Sequence, residues 1–394
     1  MFLLGATLLL APIARIVLRK AILAILNFGF LAWILGLRGA LAVVFFCIFI
    51  FKVAQAVSLY RTSRNQPSYS RVIPTLLLGF SGGLLVFLFY LHKGAGATIR
   101  DLFQTALNAA RGILVAIGFS YLAMRCVELL RAGVDGLVGG KDVLDAINYQ
   151  IPFHMLAAGP IQSWAAFRNQ PLLPTTLDEE STLQGFERIA GGLLKKFVLA
   201  NFLETTLLTG FRAPWPYTLL EAQVYCIWVY LDFSAYCDIA VGAGILLGIP
   251  TPENFMNPLL ARNIIQFWER WHITLSQFLR RNLFIPIQLN LMRRFEGRRP
   301  LLIASLAFAV TFLLCGLWHG LSLRFLLWGA LHASALITCN LYRKWLNKTI
   351  ERKALARYFE SPLIRGVSII LTFEFVSFSL VFITHPAFAF LGGQ

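Results

Sequence analysis

The sequence predicts an all-α protein that crosses a membrane many times, and three observations support this prediction. The chain has 394 residues, 58% of them hydrophobic and only 14% charged, whereas soluble domains carry about 25% charged residues. Its mean hydropathy is +0.69. Apolar stretches of roughly 20 residues, the length of a helix that spans a bilayer, recur from one end of the chain to the other.

These stretches predict the individual spans. They lie near residues 2–18, 21–37, 40–59, 72–91, 112–130, 216–231, 234–249, 300–318, 323–341 and 366–384. Shorter or mixed segments near 153–167, 189–209 and 264–290 predict re-entrant or interfacial helices, because irregular backbone is tolerated at membrane depth only where protein or a cavity surrounds it.

The charge distribution favours a membrane protein over a nucleic-acid-binding protein. The chain has 35 Lys and Arg residues against 19 Asp and Glu, but the basic residues cluster in short loops such as 293–299 and 343–357. Such loops face the cytoplasm in multi-pass proteins, where anionic lipids also attract them. We therefore predict that the chain contacts membrane lipids and has no nucleic-acid partner. The six cysteines form no CxxC pair, and no metal-ligand spacing occurs, so we predict no metal.

Polar residues divide the chain into three parts. Residues 1–147 are mostly simple apolar spans, residues 148–342 mix Trp, Pro, Asn, His, Arg and Asp with apolar residues, and residues 343–394 hold a basic segment and a last span. Polar groups at membrane depth are expensive and usually functional. We therefore predict a catalytic core over 148–342.

One polar stretch covers residues 230–287 and reads YLDFSAYCDIAVGAGILLGIPTPENFMNPLLARNIIQFWERWHITLSQFLRRNLFIPI. Its spacing predicts a helix that begins near Asn263 and carries Trp268, His272 and Ser276 on one face, with Arg270 nearby. Two further polar residues stand out upstream. Asp238 can be a site residue or a helix-packing partner, and Asn254 a site residue or a turn and capping group.

The other polar stretch is CGLWHG, residues 315–320, inside a very apolar region. An imidazole is costly to bury there without a partner, so we expect His319 to be buried and to face a cavity. Its ordinary pKa near 6.5 suits a general base. Trp318 could wall the cavity, and Gly316 would allow close approach of a substrate. A structural histidine bonded between helices is the alternative.

Together these motifs resemble the membrane-bound O-acyltransferase family. Four segments are similar to the bacterial branch of alginate O-acetylases and teichoic-acid D-alanylation transferases. They are DFSAYCDIAVGAGILLGIPTPENFMNPLLARNIIQFWERWHITLSQFLRRNLFIPI (232–287), LLCGLWHG (313–320), AAGPI (157–161) and GGLLKKFVLAN (191–201). The resemblance covers roughly residues 150–332. One loop departs from it, because LRRNLFIPIQLN (279–290) stands where relatives often read LRDYLYIPLGG, which places Arg281 at the usual Asp.

The resemblance implies a fold of about 10–12 helices with a tunnel through the bilayer. It implies that His319 and His272 are catalytic, and we expect Trp318, Trp268, Asn254, Asp238, Arg270 and Ser276 to contact substrate. No bound cofactor is implied. The donor would be a cytoplasmic acyl thioester, either acyl-CoA or an acyl carrier protein. The acceptor would be a hydroxyl of a cell-envelope polysaccharide or of a partner protein that passes the acyl group on.

The resemblance also implies a setting. It places the chain in the bacterial cytoplasmic membrane as a multi-pass protein, working with a periplasmic or membrane-anchored second acyltransferase. Acetyl is the expected acyl group and D-alanyl the second choice. Two different functions stay open, a polytopic transporter or flippase and a non-catalytic scaffold of an envelope-modification complex. Transport without acyl chemistry would distinguish the first, and envelope modification that survives loss of His319 the second.

Overall fold

A computed structural model describes residues 5–6, 16–62, 72–92, 112, 118–139, 143–169, 179–208 and 217–384. Within these residues the regular structure is helical and no strand occurs, which confirms the predicted all-α class. Most of the predicted span 2–18 lies outside the described residues, as do residues 113–117 of the predicted span 112–130.

The helices of the described residues are numbered here in their order along the chain. They are α1 (Ile16–Thr62), α2 (Val72–His92), α3 (Phe119–Val134), α4 (Val143–Gln150), α5 (Trp164–Asn169), α6 (Glu179–Leu194), α7 (Asn201–Thr206), α8 (Tyr217–Leu247), α9 (Ile264–Arg270), α10 (Ile273–Leu279), α11 (Ile285–Arg294), α12 (Pro300–His319), α13 (Leu323–Thr349), α14 (Arg352–Glu360) and α15 (Pro362–Thr384). Turns of π-helix at Lys195–Ala200 and Arg280–Phe284 join α6 to α7 and α10 to α11.

Five helices of the described residues are long and apolar enough to cross a membrane, namely α1, α8, α12, α13 and α15. The predicted spans 21–37 and 40–59 both fall in α1, where Gly36 interrupts the helical backbone with φ 70°. The predicted separation of 216–231 from 234–249 is wrong, because both belong to α8. Asp232, which lies between them, pairs with Lys196, so the carboxylate is neutralised and the helix continues through it.

The chain forms two compact units. Unit 1 comprises residues 1–190 and 237–252, and unit 2 comprises residues 191–236 and 253–394. The limits of these units do not coincide with the predicted parts 1–147, 148–342 and 343–394. Those parts were defined by where functional residues are expected, and this division stays a prediction.

Unit 1 packs α1 against α3 and α4 through apolar side chains that include Phe51, Phe119 and Leu129. Two of its arginines bond to α8. Arg19 donates to the carbonyl of Leu247 at 2.7 Å, and Arg188 donates to Asp238 at 2.7 Å. These contacts tie the end of α8 to the helices of unit 1, since charged groups at this depth require partners.

Unit 2 is organised around the hairpin of α12 and α13. The two helices touch through backbone, because a Cβ on Gly316 would lie 2.2 Å from the carbonyl oxygen of Phe325, and one on Gly329 would lie 2.3 Å from that of Phe312. The close approach expected at Gly316 is therefore made by the neighbouring helix and not by a substrate. The two helices correspond to the predicted spans 300–318 and 323–341, which flank CGLWHG.

The hairpin gives a prediction about topology. The predicted loop 343–357 is helical, because residues 343–349 end α13 and residues 352–357 belong to α14. Since α12 and the apolar part of α13 separate the basic segments 293–299 and 343–357, both segments should lie on the same side of the membrane, and their charge predicts the cytoplasmic side. Single cysteines introduced at Arg298 and Arg352 should react with a membrane-impermeant maleimide only after the cell is opened. Labelling of either one in intact cells would invert this topology.

Candidate active site

A cavity of about 200 Å³ lies within unit 2 and brings together residues from six helices and the turn between α9 and α10. Its lining is apolar and aromatic, with three histidines and one serine. The lining residues include Phe233, Trp268, Trp271, His272, His319, Trp328, His332 and Ser379. None of the lining residues in the described part of the chain is an Asp, Glu, Lys or Arg.

His272 occupies a break between two short helices. Asn263 caps α9, its side chain accepting the N–H of Gln266 at 2.9 Å, so the predicted helix start is confirmed. The predicted continuous helix through Ser276 is wrong, because α9 ends at Arg270 and His272 has φ 43° and ψ 54°. A left-handed backbone is costly for a residue with a side chain, about 1–3 kcal/mol, and persists only where the surroundings enforce it.

Asn254 enforces this break. Its backbone carbonyl accepts the N–H of Ile273 at 2.9 Å, and its side-chain oxygen accepts the N–H and the hydroxyl of Thr274 at 3.1 and 2.6 Å. Asn254 is completely buried. It therefore caps the start of α10 from a distant loop and fixes the residue that precedes it.

The ring of His272 is held among aromatic side chains. Its centroid lies 4.8 Å from that of Phe233 in an edge-on arrangement, and Phe255 bridges Phe233 to Trp271 at 5.1 and 5.0 Å. Burial, and to a smaller extent the charge of His319, lower the pKa of His272 to about 3. The imidazole is therefore neutral near pH 7 and carries a single N–H.

His319 is the last residue of α12, and it lines the cavity as expected. The expected burial is wrong, since its side chain is exposed. The helix ends there at Gly320, so the imidazole extends beyond the packed part of the hairpin. Its ring centroid lies 4.6 Å from Trp318 and 5.2 Å from Trp328.

Trp268 and His332 form the inner side of the cavity. The indole nitrogen of Trp268 donates to Nδ1 of His332 at 3.3 Å, and Nε2 of His332 lies 3.0 Å from the hydroxyl of Ser379. His332 was not among the predicted site residues, because a single histidine on an apolar helix is usually structural. The signal available was its spacing, thirteen residues after His319 on the second arm of the same hairpin.

The remaining predicted contacts do not line the cavity. Trp318 packs on His319. The carbonyl of Arg270 accepts the N–H of Met256 at 3.0 Å, and the hydroxyl of Ser276 lies 3.5 Å from the carbonyl of Trp271. Asp238 belongs to unit 1, where it pairs with Arg188. Their roles toward substrate, and that of Asn254, stay predictions.

A metal site is not formed by the described residues, which contain no group of three His, Cys, Asp or Glu side chains placed to hold an ion. The histidines of the cavity instead face aromatic rings, whose edges and faces accept a neutral imidazole. The prediction that the chain binds no metal stays a prediction.

Comparison with known proteins relates this arrangement to a family of enzymes. Residues 114–382 match the model of the membrane-bound O-acyltransferase family. The chain is 29% identical over 280 residues to a teichoic acid D-alanyltransferase of Bacillus subtilis, which covers 69% of each chain. It is 32% identical over 241 residues to a peptidoglycan O-acetyltransferase of Helicobacter pylori, covering 58% of this chain and 42% of that one.

A third relative agrees with these two. The chain is 30% identical over 269 residues to a probable alginate O-acetylase of Pseudomonas putida, covering 65% of this chain and 53% of that one. The chain thus spans about half the length of the two O-acetyl-transferring relatives. The family match covers most of the chain and includes both His272 and His319, so the chain belongs to the membrane-bound O-acyltransferase family.

Proposed function

We propose that this chain transfers an acyl group from a thioester to a hydroxyl, with His319 as the general base. The observation that supports this proposal is that His272 and His319 line one apolar cavity within unit 2. A hydroxyl is a weak nucleophile near pH 7, and removal of its proton by a positioned base contributes about 10²–10⁴-fold to the rate. An apolar lining also excludes the water that would hydrolyse the thioester.

The chemical step uses His319 as a proton carrier. The acceptor hydroxyl gives its proton to the imidazole of His319 while its oxygen bonds to the thioester carbonyl carbon. Collapse of the tetrahedral intermediate restores the carbonyl and breaks the C–S bond. The leaving thiolate then takes the proton from His319, so the products are an ester and a free thiol, and the imidazole is neutral again.

His272 acts on the carbonyl oxygen in this proposal. Because burial keeps its imidazole neutral, it holds one N–H that can donate to the oxygen as negative charge develops there. A neutral histidine is suited to this role, since a buried cation would have to be desolvated before the substrate arrived.

Acetyl is the acyl group that we propose. The described lining of the cavity offers no carboxylate to pair with the ammonium group of a D-alanyl donor, whereas an acetyl group needs no counter-ion. Both acetyl and D-alanyl transfer are named among the relatives.

The proposed setting is the cytoplasmic membrane of a bacterium. The donor would be acyl-CoA or an acylated carrier protein reached from the cytoplasm. The acceptor would be a hydroxyl of an envelope polysaccharide or of a second, periplasmic or membrane-anchored acyltransferase. The relatives named above act, by their names, on teichoic acid, peptidoglycan and alginate.

The test uses the purified protein in proteoliposomes with acetyl-CoA, acetylated carrier protein or D-alanylated carrier protein, and a panel of hydroxylated acceptors. We expect thiol release that depends on the acceptor and an acetyl mass increment on the product. Faster transfer from the D-alanyl donor would overturn the choice of acyl group. Solute movement without thiol release would favour a transporter, and neither signal would favour a scaffold.

A further inference from the structure

We infer that the hydrogen-bonded chain Trp268–His332–Ser379 positions the imidazole of His319 by fixing the aromatic ring of Trp328 against which it rests. This inference rests on the proposed function, because it assigns a positioning role in that reaction. The chain joins three helices of unit 2, with Trp268 on α9, His332 on α13 and Ser379 on α15.

The direction of the hydrogen bonds fixes the tautomer of His332. An indole N–H can only donate, so Nδ1 of His332 accepts from Trp268. A neutral imidazole then carries its proton on Nε2 and donates it to the hydroxyl of Ser379 at 3.0 Å. The hydroxyl of Ser379 in turn donates a hydrogen bond to the carbonyl of Val376 at 2.7 Å. Every donor of this chain is thus matched to an acceptor.

The same bonds exclude His332 as the base. Nδ1 already accepts a proton donor, and Nε2 already donates, so neither nitrogen can take the proton of a hydroxyl without breaking a buried bond. The ring is 1% exposed, which leaves such a broken bond without water to replace it. His332 is therefore a positioning residue and not a catalytic one.

Trp328 transmits the position of His332 to His319. Its ring centroid lies 4.5 Å from that of His332 and 5.2 Å from that of His319, so it stands between the two imidazoles. Its own indole nitrogen is buried and has no hydrogen-bond partner among the described residues. Packing alone locates this ring, and a rotated His332 would let it shift.

Trp268 also packs against both helices of the hairpin. Its ring lies 5.0 Å from Phe312 of α12 and 6.0 Å from Trp328 of α13. A bond that holds Trp268 to His332 thereby holds both arms of the hairpin on the side of its turn, next to which His319 lies. A displacement of about 1 Å in a reacting group can cost about 10²-fold in rate.

The first experiment changes Ser379, the last member of the hydrogen-bonded series that begins at Trp268, and leaves the aromatic residues of the cavity intact. Ser379→Ala removes the acceptor of the Nε2 proton, and we expect kcat for acyl transfer to fall by about tenfold or more while KM for the donor changes by less than about threefold. Ser379→Thr keeps the hydroxyl and should recover most of the rate. Ser334→Ala is the matched control, because that serine also bonds its own helix, at 2.8 Å to Ala330, but is exposed and does not line the cavity.

The second experiment measures the tautomer without any activity. In protein labelled with ¹⁵N-histidine, solid-state NMR should show one imidazole with a protonated Nε2 and an accepting Nδ1, and His332→Phe should remove that signal. Ser379→Ala should shift its Nε2 resonance and leave the other signals in place. A cationic His332, or a proton on its Nδ1, would overturn the chain of bonds.

The two measurements separate the possible failures. The predicted tautomer together with an unchanged kcat in Ser379→Ala would overturn the positioning role alone. A fall in the rate of Ser334→Ala equal to that of Ser379→Ala would assign the effect to general packing. An absence of acyl transfer by the unaltered protein with every donor, beside the predicted NMR signal, would overturn the proposed function and the positioning role with it, but not the hydrogen bonds.

Discussion

Replacement of His319 by alanine should abolish acyl transfer, with kcat lower by about 10²–10⁴-fold, and should leave the protein folded. The side chain is exposed at the end of α12, so its removal opens no packed core and costs little stability. Donor binding should be close to normal, because a base acts in the transition state more than in the bound ground state. Thiol release, donor binding and the melting temperature measured on one preparation test these three expectations.

Two further variants define the role of His319. His319→Gln keeps a polar group of similar size but provides no base near pH 7, so it should be as inactive as the alanine variant. His154→Gln is the matched control, because that histidine belongs to unit 1 and does not line the cavity, and it should retain transfer. Substantial transfer by purified His319→Gln would refute the base assignment and leave His319 as a packing residue.

Replacement of His272 by alanine should reduce acyl transfer by about tenfold or more, the scale of one lost catalytic contact. The protein should still insert and remain monodisperse in detergent, because the left-handed turn is held by Asn254 and not by the imidazole. Aggregation of the variant would show instead that His272 is structural.

Asn254→Ala provides the contrast. It leaves the buried N–H and hydroxyl of Thr274 without their acceptor, which costs about 1–3 kcal/mol for a buried donor. We expect this variant to lose both stability and activity, whereas His272→Ala should lose activity far more than stability. Equal losses of stability in the two variants would contradict the proposed division of roles.

The pH dependence of stability gives His272 a second readout. Its pKa falls from 6.5 in the unfolded chain to about 3 in the folded protein, so between these values the unfolded state binds more protons. The contribution of His272 to stability is therefore complete above pH 6.5 and is lost as the pH falls toward 3. Melting curves of His272→Ala should show a weaker loss of stability on acidification than those of the unaltered protein.

The sequence was sufficient for the parts of the fold that follow from hydropathy and from long ordered motifs. The spans that became α12 and α13 and the helix start at Asn263 follow from local patterns. The pairing of His272 with His319, which line one cavity, follows from the resemblance carried by the long motifs. Periodicity failed at His272, because the left-handed residue that divides α9 from α10 is enforced by a loop whose contacts are distant in sequence.

Two other residues show the same limit. From the sequence Asp238 can be a site residue or a helix-packing partner, and its partner Arg188 is fifty residues away in sequence. His332 looked ordinary because its two hydrogen-bond partners come from α9 and α15. Pairings between helices decide what such residues do, and a single sequence does not display them.

The backbone contact between Gly316 and Gly329 limits which substitutions the hairpin of α12 and α13 can accept. A side chain at either position would collide with a carbonyl oxygen of the neighbouring helix, although neither glycine lines the cavity. The lining residues Val229 of α8 and Val376 and Leu380 of α15 do not share this constraint and can be shortened or lengthened one methylene at a time. We therefore expect selection for longer or shorter acyl chains to leave its record in α8 and α15, while the two glycines of the hairpin stay unchanged.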